Sequence, residues 1–376
     1  MFYSEEDIKN ILDKYNIVEE INKMVPLKKV EDKYIGFCPF HKESIESFIV
    51  DEKRQIYYCF ICGKGGNLIN FYMDYFQISF FKAIEKLTGI KNEEENNLDE
   101  KINRLLDMNQ KTIEIYQENL NHNQEAKDYI KTRCLLPETM KKFKIGYSST
   151  TRKELYNQLK KLGYKDQDMI DAGLVGNTEG KLYDKFTKRL MFPIQNENGD
   201  YIGFCGRIIK KGTDKNGKAL AKYINSMETI LFDKSSTLFG FNFAKESPFN
   251  YFILCEGQMD VISLHQANFT NAIASMGTAL TEQQVKMISK YKKNVLISYD
   301  MDAAGIKAAK RAIQLLEREN INIRFIDLMP YKDPDEFIKN LGVEAFQERI
   351  KNSKEKEDWL LKLAITNDDV KIMENL

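Results

Sequence analysis

Apolar residues in the first two thirds of the chain follow two spacings that predict different elements. Near the start, Ile8, Ile11, Leu12 and Tyr15 recur at helical spacing, and strand-like alternation then surrounds a group of cysteine and histidine residues up to about residue 90. A second helical spacing runs from 102 to 120, and mixed patterns continue to about residue 250. These patterns predict a small N-terminal region followed by a larger region of mixed α and β structure.

The last third alternates between strand-like and helical stretches. The strand-like runs are "YFILCEG", "NAIASMG", "NVLISYD" and "IRFIDLMP", and helical segments such as "AAGIKAAKRAIQLLEREN" separate them. Alternation of this kind is typical of βαβ units around a parallel sheet. The fold class is therefore predicted as α/β, within a multi-domain α+β chain.

Length and a polar seam divide the chain into domains. Its 376 residues exceed what one hydrophobic core usually supports. The stretch "KNEEENNLDE" (91–100) is charged and lacks apolar periodicity, so it is interpreted as a linker or as the solvated start of a helix. We predict a Cys/His-rich domain over 1–95, a basic subdomain over 101–249, a parallel-sheet subdomain over 250–345 and a short helical tail over 346–376.

Composition narrows the class of protein. Hydrophobic residues make up 43% of the chain and charged residues 30%, which is typical of globular domains. No run approaches the ~20 apolar residues that a membrane span needs, and the start "MFYSEEDIKNILDKY" is acidic where a signal peptide is basic. These features predict a cytoplasmic protein. The net charge is zero and the pI is near 6.9, so the overall charge does not indicate a nucleic-acid partner. Evidence for such a partner must come from local clusters of charge.

The first group with recognisable chemistry is Cys38 and His41, followed after 17 intervening residues by Cys59 and Cys62. Each pair is separated by two residues and forms a zinc knuckle, and two knuckles can bring four soft ligands to one tetrahedral zinc ion. The stretch "SFIVDEKRQIYYC" between the two knuckles predicts a hairpin. A closed site of four ligands is structural rather than catalytic. The other thiols and imidazoles lack a partner at knuckle spacing and are interpreted as ordinary residues, the cysteines filling packed positions: Cys134, Cys205, Cys255, His122 and His265.

Aromatic and basic residues alternate around the knuckles. Two interpretations stay open: a face that stacks the bases and follows the phosphates of single-stranded DNA, or rings that fill a very small core. The residues concerned are Phe40, Phe48, Tyr57, Tyr58 and Phe60, with Lys42, Lys53, Arg54 and Lys64.

Carboxylates follow the strand-like runs of the last third. Glu256 ends "YFILCEG", and Asp300 with Asp302 ends "NVLISYDMD". Ligands of parallel sheets bind beyond the carboxyl ends of the strands, and converging carboxylates bind Mg²⁺ or Mn²⁺. Two or more such ions would promote phosphoryl transfer by in-line attack. Further candidate ligands are Asp260, Asp333 and Asp335.

A basic segment precedes the carboxylates. Residues 181–250 contain 12 lysines and arginines against 7 acidic residues. Arg207 and Lys222, which apolar residues flank, are predicted to contact triphosphates or the template backbone. The remaining lysines of the loop are interpreted as a solvated surface: Lys210, Lys211, Lys215 and Lys218.

Several motifs together resemble one family. "CPFHKESIESFIV…YYCFICGKGGNLINFYM", "YDKFTKRLMFPI…GDYIGFCGRII", "KYINSMETILFDKSSTLFGF", "EGQMDVISLHQANFTNAIASMGTALT", "YDMDAAGIKAAKRA" and "KDPDEF" look like the bacterial DnaG-type primase family, in the family's order from about residue 5 to 345. Because several independent motifs occur at the right separations, the resemblance is more specific than any one of them.

The resemblance implies a zinc-ribbon domain and an RNA polymerase domain whose later half is a Toprim fold. It implies synthesis of short RNA primers on single-stranded DNA from ribonucleoside triphosphates, with Glu256, Asp300 and Asp302 as magnesium ligands. It further implies nucleotide or template binding at Arg133, Arg207, Lys222 and Asn225.

Departures from the family's pattern affect loops and partners. Ile45-Glu46-Ser47 stands where the family usually has Thr-Pro-Ser, and Cys134 and Cys205 replace small glycines. Because about thirty residues remain after 345, docking of the replicative helicase is predicted to be absent, supplied by another chain or removed by truncation. The alternatives are a non-catalytic zinc-dependent paralogue that binds single-stranded DNA, or another Toprim enzyme acting on nucleic acid.

Overall fold

We describe a computed structural model of the chain, covering residues 5–78, 80–89, 93–210, 212–213, 217–277, 279–300 and 302–361. Two compact units meet in the sequence between Lys101 and Ile102. No described helix is long and apolar enough to cross a membrane.

The first unit contains one antiparallel sheet and short helices. Its elements are α1 (Glu5–Leu12), α2 (Ile17–Asn22), β1 (Lys28–Val30), β2 (Lys33–Gly36), β3 (Phe48–Asp51), β4 (Ile56–Cys59), β5 (Gly65–Gly66), α3 (Leu68–Phe76) and α4 (Phe80–Thr88). The five strands pair in chain order, and β3 with β4 confirms the predicted hairpin. Their core is aromatic: the side chains of Phe48, Tyr57 and Phe71 are buried, with ring centroids 5.4 to 6.0 Å apart.

A long helix, α5, begins at Glu93 and ends at His122. Of the two interpretations of 91–100, the start of a helix is therefore confirmed from residue 93, whereas 91 and 92 lie outside the described residues. The next elements are α6 (Gln124–Thr132), α7 (Pro137–Lys142), β6 (Gly146–Tyr147), α8 (Glu154–Lys161), α9 (Asp166–Asp171), β7 (Val175–Thr178), β8 (Lys181–Asp184), β9 (Arg189–Gln195), β10 (Tyr201–Ile208), β11 (Tyr223–Asn225) and α10 (Phe241–Ala244).

Strands β11, β10, β9 and β6 form an antiparallel sheet in that order, and β7 pairs with β8. Strand β10 is almost wholly buried, since small residues let neighbouring layers approach it closely. A Cβ added at Gly206 would lie 3.0 Å from the side chains of Phe186 and Arg189. Arg207 is therefore presented from a rigid, well-packed strand.

The last part of the chain forms the predicted parallel sheet. Its elements are β12 (Phe252–Cys255), α11 (Gln258–Gln266), β13 (Ala272–Ala274), α12 (Glu282–Tyr291), β14 (Asn294–Ser298), α13 (Ala303–Arg318), β15 (Asn322–Phe325), α14 (Pro334–Lys351) and β16 (Lys354–Glu355). The strand order is β13-β12-β14-β15-β16, and all pairs are parallel except the last. The α/β fold class predicted for this region is confirmed.

The chain after β15 has two further features. Helix α14 is interrupted at Gly342, whose φ of 84° lies in the left-handed region. After it, β16 pairs with β15, and the indole of Trp359 stacks on Phe325 with ring centroids 4.1 Å apart. The segment that the sequence indicated as a short helical tail thus also contributes a strand to the sheet, while 362–376 lie outside the described residues.

Candidate metal centres and nucleotide site

The two knuckles bring their four predicted ligands together. Cys59 ends β4, and Cys62 lies in the turn that follows it. Cys38 and His41 lie in the loop after β2, and the four ligand atoms are within 4.8 Å of one another. The Cys38 and Cys62 sulfurs are 3.8 Å apart. The turn closes at Gly63, whose φ of 73° favours glycine.

These residues fit a zinc ion chemically. Both ring nitrogens of His41 are buried without a hydrogen-bond partner, as expected of a side chain whose lone pair is meant for a metal. Burial acts to raise the pKa of Cys59, but the Cys62 N–H and the Ser47 hydroxyl outweigh it and lower that pKa to about 6. Burial raises the pKa of Cys38 to about 12. Zinc binds cysteine as the thiolate, so a bound zinc ion would favour the deprotonated form of Cys38 as well as that of Cys59.

Glu43 supports the knuckle loop and was not identified from the sequence. Its Oε1 accepts a hydrogen bond from the Cys38 N–H at 2.6 Å, and its Oε2 accepts one from the Ser47 hydroxyl. The same oxygen lies 3.0 Å from His41 Nε2 without a hydrogen bond between them. A polar residue between two knuckles is the one sequence signal that could have indicated this role.

The aromatic residues of this unit divide between core and surface. Phe48 and Tyr57 are buried, so for these two rings the structure favours the core interpretation over the binding face. Phe40 is half-buried and packs against both. Tyr58 and Phe60 are exposed, and their rings meet edge to face with centroids 5.0 Å apart. Of the five rings considered from the sequence, Tyr58 and Phe60 are therefore the exposed ones.

The interleaved basic residues also differ among themselves. Lys42 and Arg54 are exposed, and Lys53 is an exposed residue paired with an exposed aspartate. The Lys64 ammonium lies 2.8 Å from Asp74 Oδ1 and over the Phe40 ring. The exposed charges therefore remain candidates for phosphate contacts, whereas Lys64 is engaged within the ribbon.

The second set of predicted ligands gathers at the carboxyl edge of the parallel sheet. Glu256 directly follows β12, and Asp300 and Asp302 follow β14. Glu256 Oε1 accepts a hydrogen bond from the Asp300 N–H at 3.0 Å. A Cβ added at Gly305 would lie 2.0 Å from the Asp300 carbonyl oxygen and 2.5 Å from that same Oε1, so a glycine is required here for α13 to begin beside Glu256. Asp302 caps α13 through its Oδ1.

This edge concentrates negative charge. Burial and the neighbouring Asp300 raise the pKa of Glu256 to about 7, and burial likewise raises the pKa of Asp300. The pKa of Asp302 is lowered, chiefly because the Gly305 N–H donates to its carboxylate. Carboxylates that repel one another in this way fit a bound cation, which would relieve the repulsion.

Three further acidic residues lie at the same edge. Asp260 is buried in the first turn of α11, where burial and the nearby Asp333 raise its pKa well above the ordinary value. Asp333 caps α14 by accepting from the Glu336 N–H at 2.8 Å. Asp335 is buried and contacts Lys339 rather than the other carboxylates. The structure thus supports Asp260 and Asp333 as neighbours of the candidate site and gives Asp335 a different set of contacts.

The two candidate sites differ in how closely their ligands meet. Within the described ranges, the Cys/His set is the one group of three or more potential ligands gathered within 4.8 Å. The three predicted carboxylate ligands at the sheet edge do not all lie within this distance of one another. Such spacing is typical of a site where water and substrate oxygens complete the coordination of Mg²⁺.

A cluster of arginines and tyrosines lies near Asp335. Arg133 donates from Nε to the Tyr129 hydroxyl at 3.0 Å and lies 3.4 Å from Asp335 Oδ2. The Arg207 guanidinium lies over the rings of Tyr129 and Tyr223, 5.7 and 5.2 Å from their centroids. Arg207 also donates to the Tyr223 hydroxyl at 2.5 Å. Stacked guanidinium groups of this kind present rigid donors.

Lys222 and Asn225 complete this cluster. Burial lowers the pKa of Lys222, and the nearby charges of Arg207 and Arg133 lower it further. Asn225 donates to the Met276 carbonyl at 2.7 Å, while its Oδ1 is buried without a partner, as is Arg207 Nε. Polar atoms left unpaired at such a depth favour an interaction with a ligand. The structure therefore brings Arg133, Arg207, Lys222 and Asn225 into one region, as the sequence indicated.

The other predictions have mixed outcomes. Cys205 and Cys255 are buried as expected, but Cys134 is exposed, so the prediction of a packed residue is wrong there. Its φ of 54° lies in the left-handed region, and the residue belongs to the turn after α6 rather than to a packed element. Lys210 is exposed and pairs with Glu125 at 2.6 Å. Lys211 and Lys215 lie outside the described residues.

The remaining histidines are accounted for by local contacts. His122 is exposed at the end of α5. His265 is buried, lies 3.0 Å from the Lys142 ammonium and donates to the Ala272 carbonyl, and burial lowers its pKa to about 3. Among the described residues, neither belongs to a group of three or more potential metal ligands.

Three family models match this chain in succession. A CHC2 zinc finger matches residues 3–103, the N-terminal domain of the DNA primase catalytic core matches 115–245, and a Toprim-like domain matches 253–338. The DNA primase of Aquifex aeolicus is 37% identical over 98% of this chain and 73% of its own length. This chain belongs to the DNA primase family.

Solved structures of primases agree with this assignment. The zinc-binding and RNA polymerase domains of the A. aeolicus primase match with a TM-score of 0.64 and 35% identity, over 98% of this chain and 90% of that one. A DnaG primase catalytic domain bound to single-stranded DNA matches with a TM-score of 0.62 and 30% identity, over 72% of this chain and 84% of that one.

The chain spans somewhat less than two thirds of several other primases. The DNA primase of Clostridium acetobutylicum is 36% identical over all of this chain, which covers 63% of that protein. The CHC2 zinc finger match includes all four Cys/His ligands, and the Toprim-like match includes all six edge carboxylates. A zinc site and a divalent-metal site therefore agree with the primase family.

Proposed function

We propose that this chain is a DNA primase, a nucleotidyltransferase that synthesises short RNA primers on single-stranded DNA for replication. The observation that carries the proposal is the carboxylate edge of the parallel sheet beside the arginine–tyrosine cluster, in a chain of the primase family. Acidic residues for cations and basic residues for phosphates are the two parts that phosphoryl transfer requires.

We assign cation binding to Glu256, Asp300 and Asp302. Bound there, Mg²⁺ or Mn²⁺ would neutralise charge on the reacting phosphate and lower the pKa of the attacking ribose hydroxyl. The chain's part is to hold these three carboxylates at fixed strand ends. The Asp300 N–H orients Glu256, and the first turn of α13 orients Asp302, so two of the three side chains are positioned by backbone donors.

We assign the ribonucleoside triphosphate and template backbone to Arg133, Arg207, Lys222 and Asn225. The unpaired Arg207 Nε supports this assignment, because a buried guanidinium with a free donor suits a phosphate oxygen. The unpaired Asn225 Oδ1 suits a ribose hydroxyl in the same way. Tyr129 and Tyr223 would keep the guanidinium in place by stacking.

We assign template contacts of the zinc-finger unit to Tyr58 and Phe60. Both rings are exposed, and stacking of unpaired bases on aromatic rings is the common mode of single-strand binding. A related primase catalytic domain has been solved bound to single-stranded DNA, which supports the same partner here. The exposed Lys42 and Arg54 add charge for the phosphates.

One assay tests the proposed function. The purified chain with Mg²⁺ and labelled ribonucleotides should form short RNA on single-stranded DNA, and should form none on fully duplex DNA or without a template. Product on single strands alone would support the proposal. Retention of DNA binding with no RNA product, in Mg²⁺ or in Mn²⁺, would identify a non-catalytic binding protein instead.

A further inference from the structure

Lys332 reaches the carboxylate edge from the loop between β15 and α14. Its backbone N–H donates to Glu336 Oε2 at 3.1 Å, and the next residue caps α14, so this end of the loop is fixed to the helix. Its ammonium lies 3.1 Å from Asp300 Oδ2 and 3.6 Å from Asp302 Oδ2. The lysine thus contacts two of the three proposed cation ligands.

The oxygens that Lys332 contacts are the ones a cation would use. Asp302 Oδ1 already accepts from the N–H groups of Ala304 and Gly305 at 3.1 and 2.9 Å. Its Oδ2 is therefore the oxygen left for an ion, and it faces the ammonium. Lys332 and a divalent cation cannot both have full contact with the same oxygens.

We propose that Lys332 is an internal counter-ion that competes with the divalent cation for Asp300 and Asp302, and so sets the cation concentration at which the site fills. The inference rests on the proposed function only in taking these carboxylates as the cation site. The lysine carries one charge on a flexible stem, and its side chain is 56% exposed. It can therefore swing into solvent when an ion with two charges arrives.

The size of the effect follows from linkage. A site that is paired most of the time binds its ligand more weakly, in proportion to the fraction of time it is free. Two partly exposed ion pairs are weak, so removing them should tighten cation binding by about 2- to 10-fold. Without a divalent cation, the same removal should leave the carboxylates less well neutralised and lower the melting temperature.

The test is calorimetric titration of Mn²⁺ into the zinc-loaded chain, without template or nucleotide. Lys332→Gln should bind Mn²⁺ about 2- to 10-fold more tightly than the unchanged chain. Lys332→Arg keeps the positive charge and should bind as the unchanged chain does, or more weakly. Lys356→Gln is the matched control, because Lys356 pairs with Glu317 and Glu357, away from the site, and it should change nothing.

Melting of the zinc-loaded chain in buffer free of Mg²⁺ and Mn²⁺ provides a second reading. Lys332→Gln should melt below the unchanged chain in that buffer, and the stabilisation by Mn²⁺ should be larger in the variant. Equal or weaker Mn²⁺ binding by Lys332→Gln, or no Mn²⁺ binding by either protein, would overturn the inference. Failure of primer synthesis by the unchanged chain would instead count against the proposed function, because the titration involves no reaction.

Discussion

The zinc-finger unit and the parallel sheet each gather potential metal ligands, but in opposite ways. In the first, four ligand atoms from one hairpin and its flanking loops lie within 4.8 Å. In the second, carboxylates from the ends of different strands stay farther apart, and Lys332 neutralises part of their charge. A metal site closed by its own protein ligands supports folding, whereas an open metal site leaves coordination positions for substrate.

The largest expected effect concerns the closed site. Cys59→Ser should abolish zinc binding and unfold the zinc-finger unit, because structural zinc contributes roughly 10–16 kcal/mol of apparent binding free energy to folding. Cys134→Ser is the control, since that thiol is exposed and outside the site. Metal analysis and circular dichroism check this. One zinc per chain in Cys59→Ser would contradict a four-ligand structural site.

The next effect concerns the open site. Asp300→Asn should lower primer synthesis by about 10²–10³-fold, because a catalytic metal contributes several kcal/mol to transition-state stabilisation. The melting temperature of the zinc-loaded variant without Mg²⁺ or Mn²⁺ should be unchanged or raised, because one repelling charge is gone. Asp166→Asn, whose carboxylate pairs with Lys160, is the control. Near-full synthesis, or loss that accompanies unfolding, would reject the assignment of Asp300.

A smaller effect is expected in the arginine–tyrosine cluster. Arg207→Ala should weaken nucleotide or template binding by about 1–3 kcal/mol and flatten its salt dependence, whereas the exposed Lys161→Ala should not. Arg207→Lys restores charge without the planar stack over Tyr223 and should recover part of the affinity. Binding measured over a range of salt concentrations checks this. Equal losses in Arg207→Ala and Lys161→Ala would mean that the buried cluster has no special role.

The smallest effect is a pH dependence of the stability of the zinc-loaded chain in buffer free of Mg²⁺ and Mn²⁺. Because the pKa of Glu256 is raised from 4.5 to about 7, the folded chain binds more protons than the unfolded chain between these values. Stability should therefore fall as pH rises from 4.5 to 7, and Glu256→Gln should remove that part of the fall. Partial exposure of the side chain keeps the effect small. An unchanged pH profile of melting in the Glu256→Gln variant would contradict the raised pKa.

Both candidate ligand sets could be predicted from the sequence because their members lie at the ends of local elements or in the loops directly after them. Knuckle spacing and the hairpin locate the cysteines, and strand-like runs locate Glu256 and Asp300. The side chains of a strand alternate between its two faces, and β4 accordingly buries Tyr57 and exposes Tyr58. This period of two could have separated the two rings at the level of the sequence, where the aromatic residues were treated as one group.

Other parts depend on packing between distant segments, which no local pattern reports. Tyr129 and Tyr223 hold Arg207 between elements that are far apart in the sequence, and Lys332 meets Asp300 across the sheet edge. The resemblance to primases indicated Arg133 and Arg207, but not the tyrosines that position them. Likewise, β16 has two residues, too few to show a strand pattern.

The most direct test of the open site is to locate its cation on the chain. Fe²⁺ substituted for Mg²⁺ in the presence of ascorbate and peroxide should cleave the backbone near 256–260, 300–305 and 332–336, and Asp300→Asn should remove these cuts. Zinc, which has no redox chemistry, should leave the finger uncut. Cleavage confined to other segments, or cuts at the sheet edge that persist in Asp300→Asn, would contradict the account.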